Sequence, residues 1–241
     1  MTQKLDKSAK VISKMFTSLA PRYDLMNDVM TGFTHRHTRK FALELIGIVK
    51  GGLVLDLASG TGDFAFLLQN LMKSNTLIIG CDFSIGMLEM ARHRLKTIQD
   101  VSEVNNLAFA SSDINHLPFS DEIFDVCSII YGLRNVQDPL SVLQEINRVT
   151  KPSGRFFIVE SIIPDNPFIR FSLSFYFKNV VPMIASLFAS NVQAYDYYFN
   201  SVEQFGTPIE TLKLLKKTHW KRVTIYRLLF GSVIVYQIFK R

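Results

Sequence analysis

The chain has 241 residues, 48% of them apolar and 20% charged, enough for one α/β domain with a sizeable core and too apolar for wholesale disorder. Its formal net charge is +6, a balance that suits nucleic acid, an anionic membrane surface or an acidic ligand. No run of like charge is long enough for a nucleic-acid tail and no recognition motif accompanies the charge, so nucleic acid is not an expected partner.

Lys4, Lys7 and Lys10 are followed by no apolar stretch of the signal-peptide kind, and a cytoplasmic protein is expected. Val11, Ile12, Met15, Phe16 and Leu19 recur at helical spacing and predict an amphipathic helix over 8–19, ended by Pro21. The segment from Tyr23 to Asp28 and a loop to Arg39 follow, then a helix over 41–48 stopped by Gly51 and Gly52. From residue 53 the pattern changes. Short apolar runs at 53–57, 76–80, 107–110, 124–130 and 156–159 read as strands, with helices between them at 64–72, 87–98 and 140–149. This alternation predicts a parallel sheet with helices on both faces. Cys81 and Cys127 fall in such apolar runs, form no metal-ligand or disulfide pattern, and read as buried thiols.

Helical segments are expected at 168–189 and 209–217. Arg170, Lys178 and Pro182 interrupt the first, so it does not read as a membrane-spanning helix, but it can touch a lipid substrate or a membrane face. Residues 223–229 and 232–239 flank Phe230 and Gly231 as an antiparallel hairpin. The expected organisation is one domain, with an N-terminal helical lid over 1–50 and a core over 51–161. A helical substrate region over 162–218 and a closing hairpin over 219–241 complete it.

Gly60 and Gly62 sit where the first strand turns into a helix, so the backbone can bend there and approach a ligand closely. By itself such a pair is also a plain tight turn. Asp56, an acid inside an apolar strand, needs a partner, which a cationic ligand can supply. Asp82 ends the second strand about 20 residues on, the spacing at which a carboxylate accepts both ribose hydroxyls. Asp113 follows the third strand, placed either to accept an adenine amine or to cap its own turn, with Ile114 beside it to pack on the ring. Three acids at successive strand ends point to a small ligand with a ribose and a purine. No lysine follows the glycine loop, and Asp63 would repel a pyrophosphate.

These residues carry a resemblance. Asp56 to Asp63, the run Tyr23, Asp24, Met26, Asn27, Asp28, and the run Tyr131, Gly132, Leu133, Arg134, Asn135, Val136 resemble the motifs of the ubiquinone/menaquinone biosynthesis methyltransferases. Asn191, Ala194, Tyr195, Tyr197, Ser201 and Val202 match a fourth. The likeness runs from Met15 to the C-terminus and implies a class I methyltransferase, Rossmann-like fold: a seven-stranded, mostly parallel sheet with an antiparallel last strand. It implies S-adenosylmethionine as cofactor, contacted by Thr61, Asp82, Asp113 and Ile114, and a prenylated quinol as substrate, demethylmenaquinol ahead of a benzoquinol. Ile130 and Thr38 depart from the pattern: a small polar residue and a tryptophan are common there.

Methylating a quinol ring carbon requires a group that stabilises the quinolate. Arg134, on the same rim as the glycine loop, is the candidate, its alternative being a structural ion pair. Asn135 can orient a hydroxyl or a water, Tyr23 and Asp24 can fold over the substrate, and Tyr195 and Tyr197 can line its pocket. The rivals are an S-adenosylmethionine-dependent methyltransferase of another small molecule, a nicotinamide-dependent oxidoreductase and a non-catalytic S-adenosylmethionine-binding or membrane-associated regulator.

Overall fold

Neighbouring side chains of a strand point to opposite faces, so a strand apolar throughout must be covered on both sides. Val54, Val126, Phe157 and Val235 pack into one core, while Leu55, Cys127, Phe156 and Tyr236, each next to one of them in sequence, pack into another. Between the two cores lies a seven-stranded sheet of order β3-β2-β1-β4-β5-β7-β6. The computed structural model describes residues 5–72, 75–99, 106–181, 183 and 193–240.

The strands are β1 (Leu53–Leu57), β2 (Leu77–Asp82), β3 (Leu107–Ser111), β4 (Phe124–Ile130), β5 (Thr150–Ser161), β6 (Arg222–Leu228) and β7 (Val233–Phe239). β1 to β5 pair in parallel, and β7 enters antiparallel between β5 and β6. Helices α3 (Thr34–Ile46), α4 (Asp63–Leu71) and α5 (Ile85–Gln99) supply Ile46, Leu68 and Leu88 to the first core. Helices α6 (Pro139–Val149) and α9 (Pro208–Lys216) supply Leu143 and Leu215 to the second. Local chemistry sets the helix starts. Asp138 caps α6 by accepting from Leu140 N and Ser141 N, with Pro139 at the first turn. Thr207 and Glu210 close a capping box on α9.

The remaining helices are α1 (Ala9–Leu19), α2 (Tyr23–Thr31), α7 (Pro167–Phe175) and α8 (Gln193–Phe205). α1, α2 and α8 form a third apolar cluster with the turn after α7, through Leu19, Met26, Met30, Phe177 and Tyr198.

Four expectations need correction. The loop expected between Asp28 and Arg39 is mostly helical: the end of α2 and the start of α3 fill it, separated by Gly32 and Phe33 at φ +53° and +63°. The expected helix over 41–48 is the second half of α3, which Gly47 ends at φ +64°. β5 starts at Thr150, directly after α6, and does not wait for residue 156. Its register jumps from Phe124↔Thr150 to Val126↔Arg155, and this bulge takes in Pro152, which a regular ladder rejects. The segment expected as a helix over 168–189 is α7 followed by a π-turn at Tyr176–Val180; residues 182 and 184–189 lie outside the described ones.

Candidate active site

The first strand delivers its loop to the point where the sheet order reverses, between β1 and β4, outside the carboxyl ends of the strands. Gly62 has φ +85°, and a Cβ there would meet Phe109 Cζ at 2.7 Å. Gly60 has φ +56°, where a Cβ would touch Tyr23 Cε1 at 3.9 Å, and its backbone N–H donates to Asp82 Oδ2 at 2.9 Å. Asp82 Oδ1 accepts from Ser84 N at 2.8 Å. Burial pushes Asp82 up from its ordinary range, and the N–H groups of Ser84, Gly60 and Phe83 oppose the shift. Of the four lone-pair sites of the carboxylate, these groups leave at least one for a ligand hydroxyl. The cleft in front of Asp82 has apolar walls that include Phe83, Met87, Ile114 and Ile130, and Ile12, Phe16 and Tyr23 roof it.

The other expected contacts divide. Thr61 Oγ1 donates to Asp24 Oδ1 at 2.8 Å and so ties α2 to the glycine loop; Thr61 lines a smaller pocket with Tyr23, Arg39 and Asp56. Asp113 is exposed beyond the end of β3, and its Oδ1 accepts from Asn115 N at 2.9 Å and Asn115 Nδ2 at 2.8 Å. Asp63 begins α4, where a carboxylate suits the helix dipole, and pairs with Arg94 at 2.8 Å and Arg39 at 3.1 Å. It occupies the helix end that would receive a pyrophosphate in a dinucleotide site.

Asp56 is 1% exposed. Its Oδ1 accepts from Ser128 Oγ at 2.7 Å, while Oδ2 is buried with no protein partner. Burial pushes its pKa up to about 7, against the Ser128 hydrogen bond and the charge of Arg39. The unfolded chain gives up this proton near 3.8. Between about pH 4 and 7 the folded state therefore holds a proton that the unfolded state has lost, and stability falls as pH rises, by at most about 1.4 kcal/mol per unit. Asp56→Asn keeps an acceptor for Ser128 and cannot ionise. Urea unfolding should show the variant gaining on the native chain between pH 4 and pH 8. A gap independent of pH would mean that Asp56 ionises as readily folded as unfolded.

Past β4 the chain forms a tight turn at Leu133–Asn135. Arg134 is 6% exposed and faces Glu160, which is fully buried at the end of β5. Its Nη1 donates to Glu160 Oε2 at 2.8 Å and to Tyr131 O at 2.6 Å, and its backbone N–H donates to Glu160 Oε1 at 3.0 Å. Burial alone would pull Arg134 down, but the Glu160 carboxylate outweighs it and holds the guanidinium above its ordinary range. The guanidinium carbon lies 5.0 Å from the Tyr198 ring centroid and 5.8 Å from that of Tyr131. Arg134 Nε is buried without a protein acceptor. Lys7 Nζ donates to Arg134 O at 2.5 Å, which joins the N-terminal segment to this turn. Asn135 lines the cleft, and its Oδ1 accepts from Tyr197 Oη at 3.1 Å. Asn191 and the side chains of Ala194 and Tyr195 lie outside the described residues.

A second, wider cavity of about 430 Å³ lies beyond Tyr131, among α2, α3, α7, α8 and the β6–β7 turn. Its walls are mostly apolar, with Leu173, Phe177 and Phe230 among them, and its polar groups include His35, Ser161 and Tyr198. Burial and the charge of Arg39 push His35 down to about 4, so it is neutral at pH 7. Tyr131 lines both spaces. Sequence reasoning missed Glu160, His35, Ser161 and Tyr198. Only Glu160 had a signal, that of an acid inside an apolar strand.

The sequence pattern of the ubiE/COQ5 methyltransferase family matches residues 2–240. The chain is 34% identical to a demethylmenaquinone methyltransferase of Lactiplantibacillus plantarum, over 92% of each chain. It is also 34% identical to a ubiquinone/menaquinone biosynthesis C-methyltransferase of Teredinibacter turnerae, over 96% of this chain and 92% of that one. In fold it resembles a crystal structure from Thermotoga maritima described as an S-adenosylmethionine-dependent, possible histamine N-methyltransferase. The TM-score is 0.64 at 20% identity, covering 95% of this chain and 99% of the other. With sheet order, glycine loop, acidic strand end and full-length sequence match in agreement, the chain belongs to the ubiE/COQ5 methyltransferase family.

Proposed function

We propose that this chain transfers the methyl group of S-adenosylmethionine to a ring carbon of a prenylated quinol, with demethylmenaquinol as first substrate, in menaquinone and also ubiquinone synthesis. The observation that carries this reading is the shared wall. A cleft with a carboxylate for a ribose and a large apolar cavity meet at Tyr131, with Arg134 behind it.

The residues present suit the cofactor by their chemistry. Asp82 would accept ribose hydroxyls, Ile114 would pack on the adenine with Asp113, exposed just outside the cleft, as the acceptor for its amine, and Gly60, Thr61 and Gly62 would let the backbone approach. The orphan Oδ2 of Asp56 is an acceptor kept for the cationic end, directly or through water. S-adenosylmethionine supplies an already activated methyl on a sulfonium, so the protein must position the ring and raise its electron density. Arg134 Nη1 is committed to Glu160 and Tyr131, so the guanidinium N–H groups not spent there, the Nε–H among them, are the donors assigned to the quinol oxygen as it becomes an oxyanion. Asn135, held by Tyr197, orients the hydroxyl or a water that takes its proton, and Tyr23 closes over the ring. Purified protein given tritium-methyl-labelled S-adenosylmethionine should pass label to demethylmenaquinol in organic extracts. Label that enters only a benzoquinol, or no quinol, would reject the substrate reading.

The substrate is a membrane lipid, and among the described residues no helix is long and apolar enough to cross a membrane. The reading therefore puts the protein peripherally on the membrane surface, through α7. Phe168 and Phe171 are 77% and 70% exposed there, with Arg170 and Lys178 close by in sequence, a pairing that suits the headgroup boundary. The tip of the β6–β7 turn, Phe230, is also exposed and lines the same cavity. In flotation assays, anionic liposomes should retain the protein at low salt, with retention falling as salt screens the cations. Phe168→Ser with Phe171→Ser should lower retention at all salt concentrations. Equal absence of binding to anionic and neutral liposomes would end the membrane reading and leave catalysis untouched.

A further inference from the structure

The hydroxyl of Tyr131 lies 2.6 Å from Thr38 Oγ1. The same Thr38 Oγ1 donates to the carbonyl oxygen of His35 at 2.9 Å. A threonine hydroxyl has one proton. With that proton on His35 O, Thr38 can only accept from Tyr131, and a phenol, the stronger acid of the two, is the natural donor. Tyr131 has one proton as well, and it is spent on Thr38. Burial holds the phenol above its ordinary pKa range, so this proton stays in place. Tyr131 Oη therefore offers the cavity lone pairs and no hydrogen.

Thr38 is 1% exposed, and the Tyr131 backbone sits at φ +59°, a costly conformation for a bulky residue. Arg134 Nη1 is bonded to the Tyr131 carbonyl, so both ends of the residue are fixed. The hydroxyl cannot easily turn to donate elsewhere.

A quinol brings O–H donors to such a wall, whereas the oxidised quinone brings only carbonyl acceptors. We infer that Tyr131, locked as an acceptor by Thr38, selects the reduced quinol and disfavours the quinone at the wall between the two spaces. This rests on the substrate reading above. It serves the chemistry directly, because the quinone ring is electron-poor and cannot be methylated by a sulfonium. Bound quinone would only block the site in a lipid pool that holds both forms.

The test is equilibrium binding of 2-prenyl-1,4-naphthoquinol and 2-prenyl-1,4-naphthoquinone without oxygen, with saturating S-adenosylhomocysteine so that no turnover occurs. The native chain should bind the quinol about fivefold or more tightly than the quinone, the worth of one hydrogen bond. Tyr131→Phe should erase the preference by weakening the quinol alone. Thr38→Val, which keeps the volume and frees the Tyr131 proton, should erase it from the other side by tightening the quinone. Thr38→Ser keeps the hydroxyl and should keep the preference. A purely structural role would weaken both forms together. A preference that survives both Tyr131→Phe and Thr38→Val, or no preference in a native chain that binds both forms, would overturn the inference and leave the proposed substrate standing. A native chain that binds neither form would overturn both.

Discussion

Arg134→Ala should lower turnover by about 100-fold or more, the usual loss when a donor to a developing oxyanion is removed. The same change leaves Glu160, fully buried, without its cation, and unpairing a buried charge costs about 3–5 kcal/mol of stability. Stability and chemistry must therefore be separated. Glu160→Ala added to Arg134→Ala removes the orphaned charge and should recover part of the lost stability while turnover stays low. Arg134→Lys keeps the charge without the planar fork that reaches both Glu160 and the Tyr131 carbonyl, and should rescue stability more than rate. Urea unfolding and steady-state kinetics on the three variants decide the point. If the double variant regains both stability and near-native turnover, Arg134 is a structural partner of Glu160 and nothing more.

The second large effect concerns the cofactor. Asp82→Ala should weaken S-adenosylmethionine binding by about 10- to 150-fold, from the loss of charge-assisted hydrogen bonds worth about 1.5–3 kcal/mol. It also removes the acceptor of Gly60 N and Ser84 N, so the glycine loop loses the anchor that shapes the cleft. Asp82→Asn keeps one carbonyl acceptor and should fall between. Calorimetry at fixed pH reads both, and unchanged affinity in the alanine variant would take Asp82 out of the site.

The sheet was legible in the sequence for a physical reason. A strand buried on both faces must be a short, uninterrupted apolar run, and 124–130 matches β4 residue for residue. The glycine loop was legible because a backbone at positive φ, pressed against Phe109, leaves no choice of residue at Gly62. The buried polar groups were harder. His35 and Arg39 belong to a run rich in histidine, arginine and lysine, yet both are buried, Arg39 because Asp63 waits across the fold. No local pattern foretells a partner 24 positions away. Glu160 hid for the same reason, 26 positions from Arg134. Thr38 and Tyr131 are 93 positions apart, so Thr38 read only as a departure from a common tryptophan, with no sign of the hydroxyl it meets. The part α8 plays in the wide cavity, through Tyr198 and Phe199, depends on packing that no spacing rule reports.

On the proposed function, a methyl group crosses from the Asp82 cleft to a ring carbon lying in the cavity beyond Tyr131. The most direct measurement of this transfer is the carbon NMR spectrum of product formed without oxygen from demethylmenaquinol and S-adenosylmethionine labelled with ¹³C in the methyl group. The account predicts a single labelled methyl bonded to ring carbon, absent when Arg134→Ala/Glu160→Ala replaces the native chain. A labelled methyl bonded to oxygen, or a carbon methylation that the double variant performs at the native rate, would contradict it.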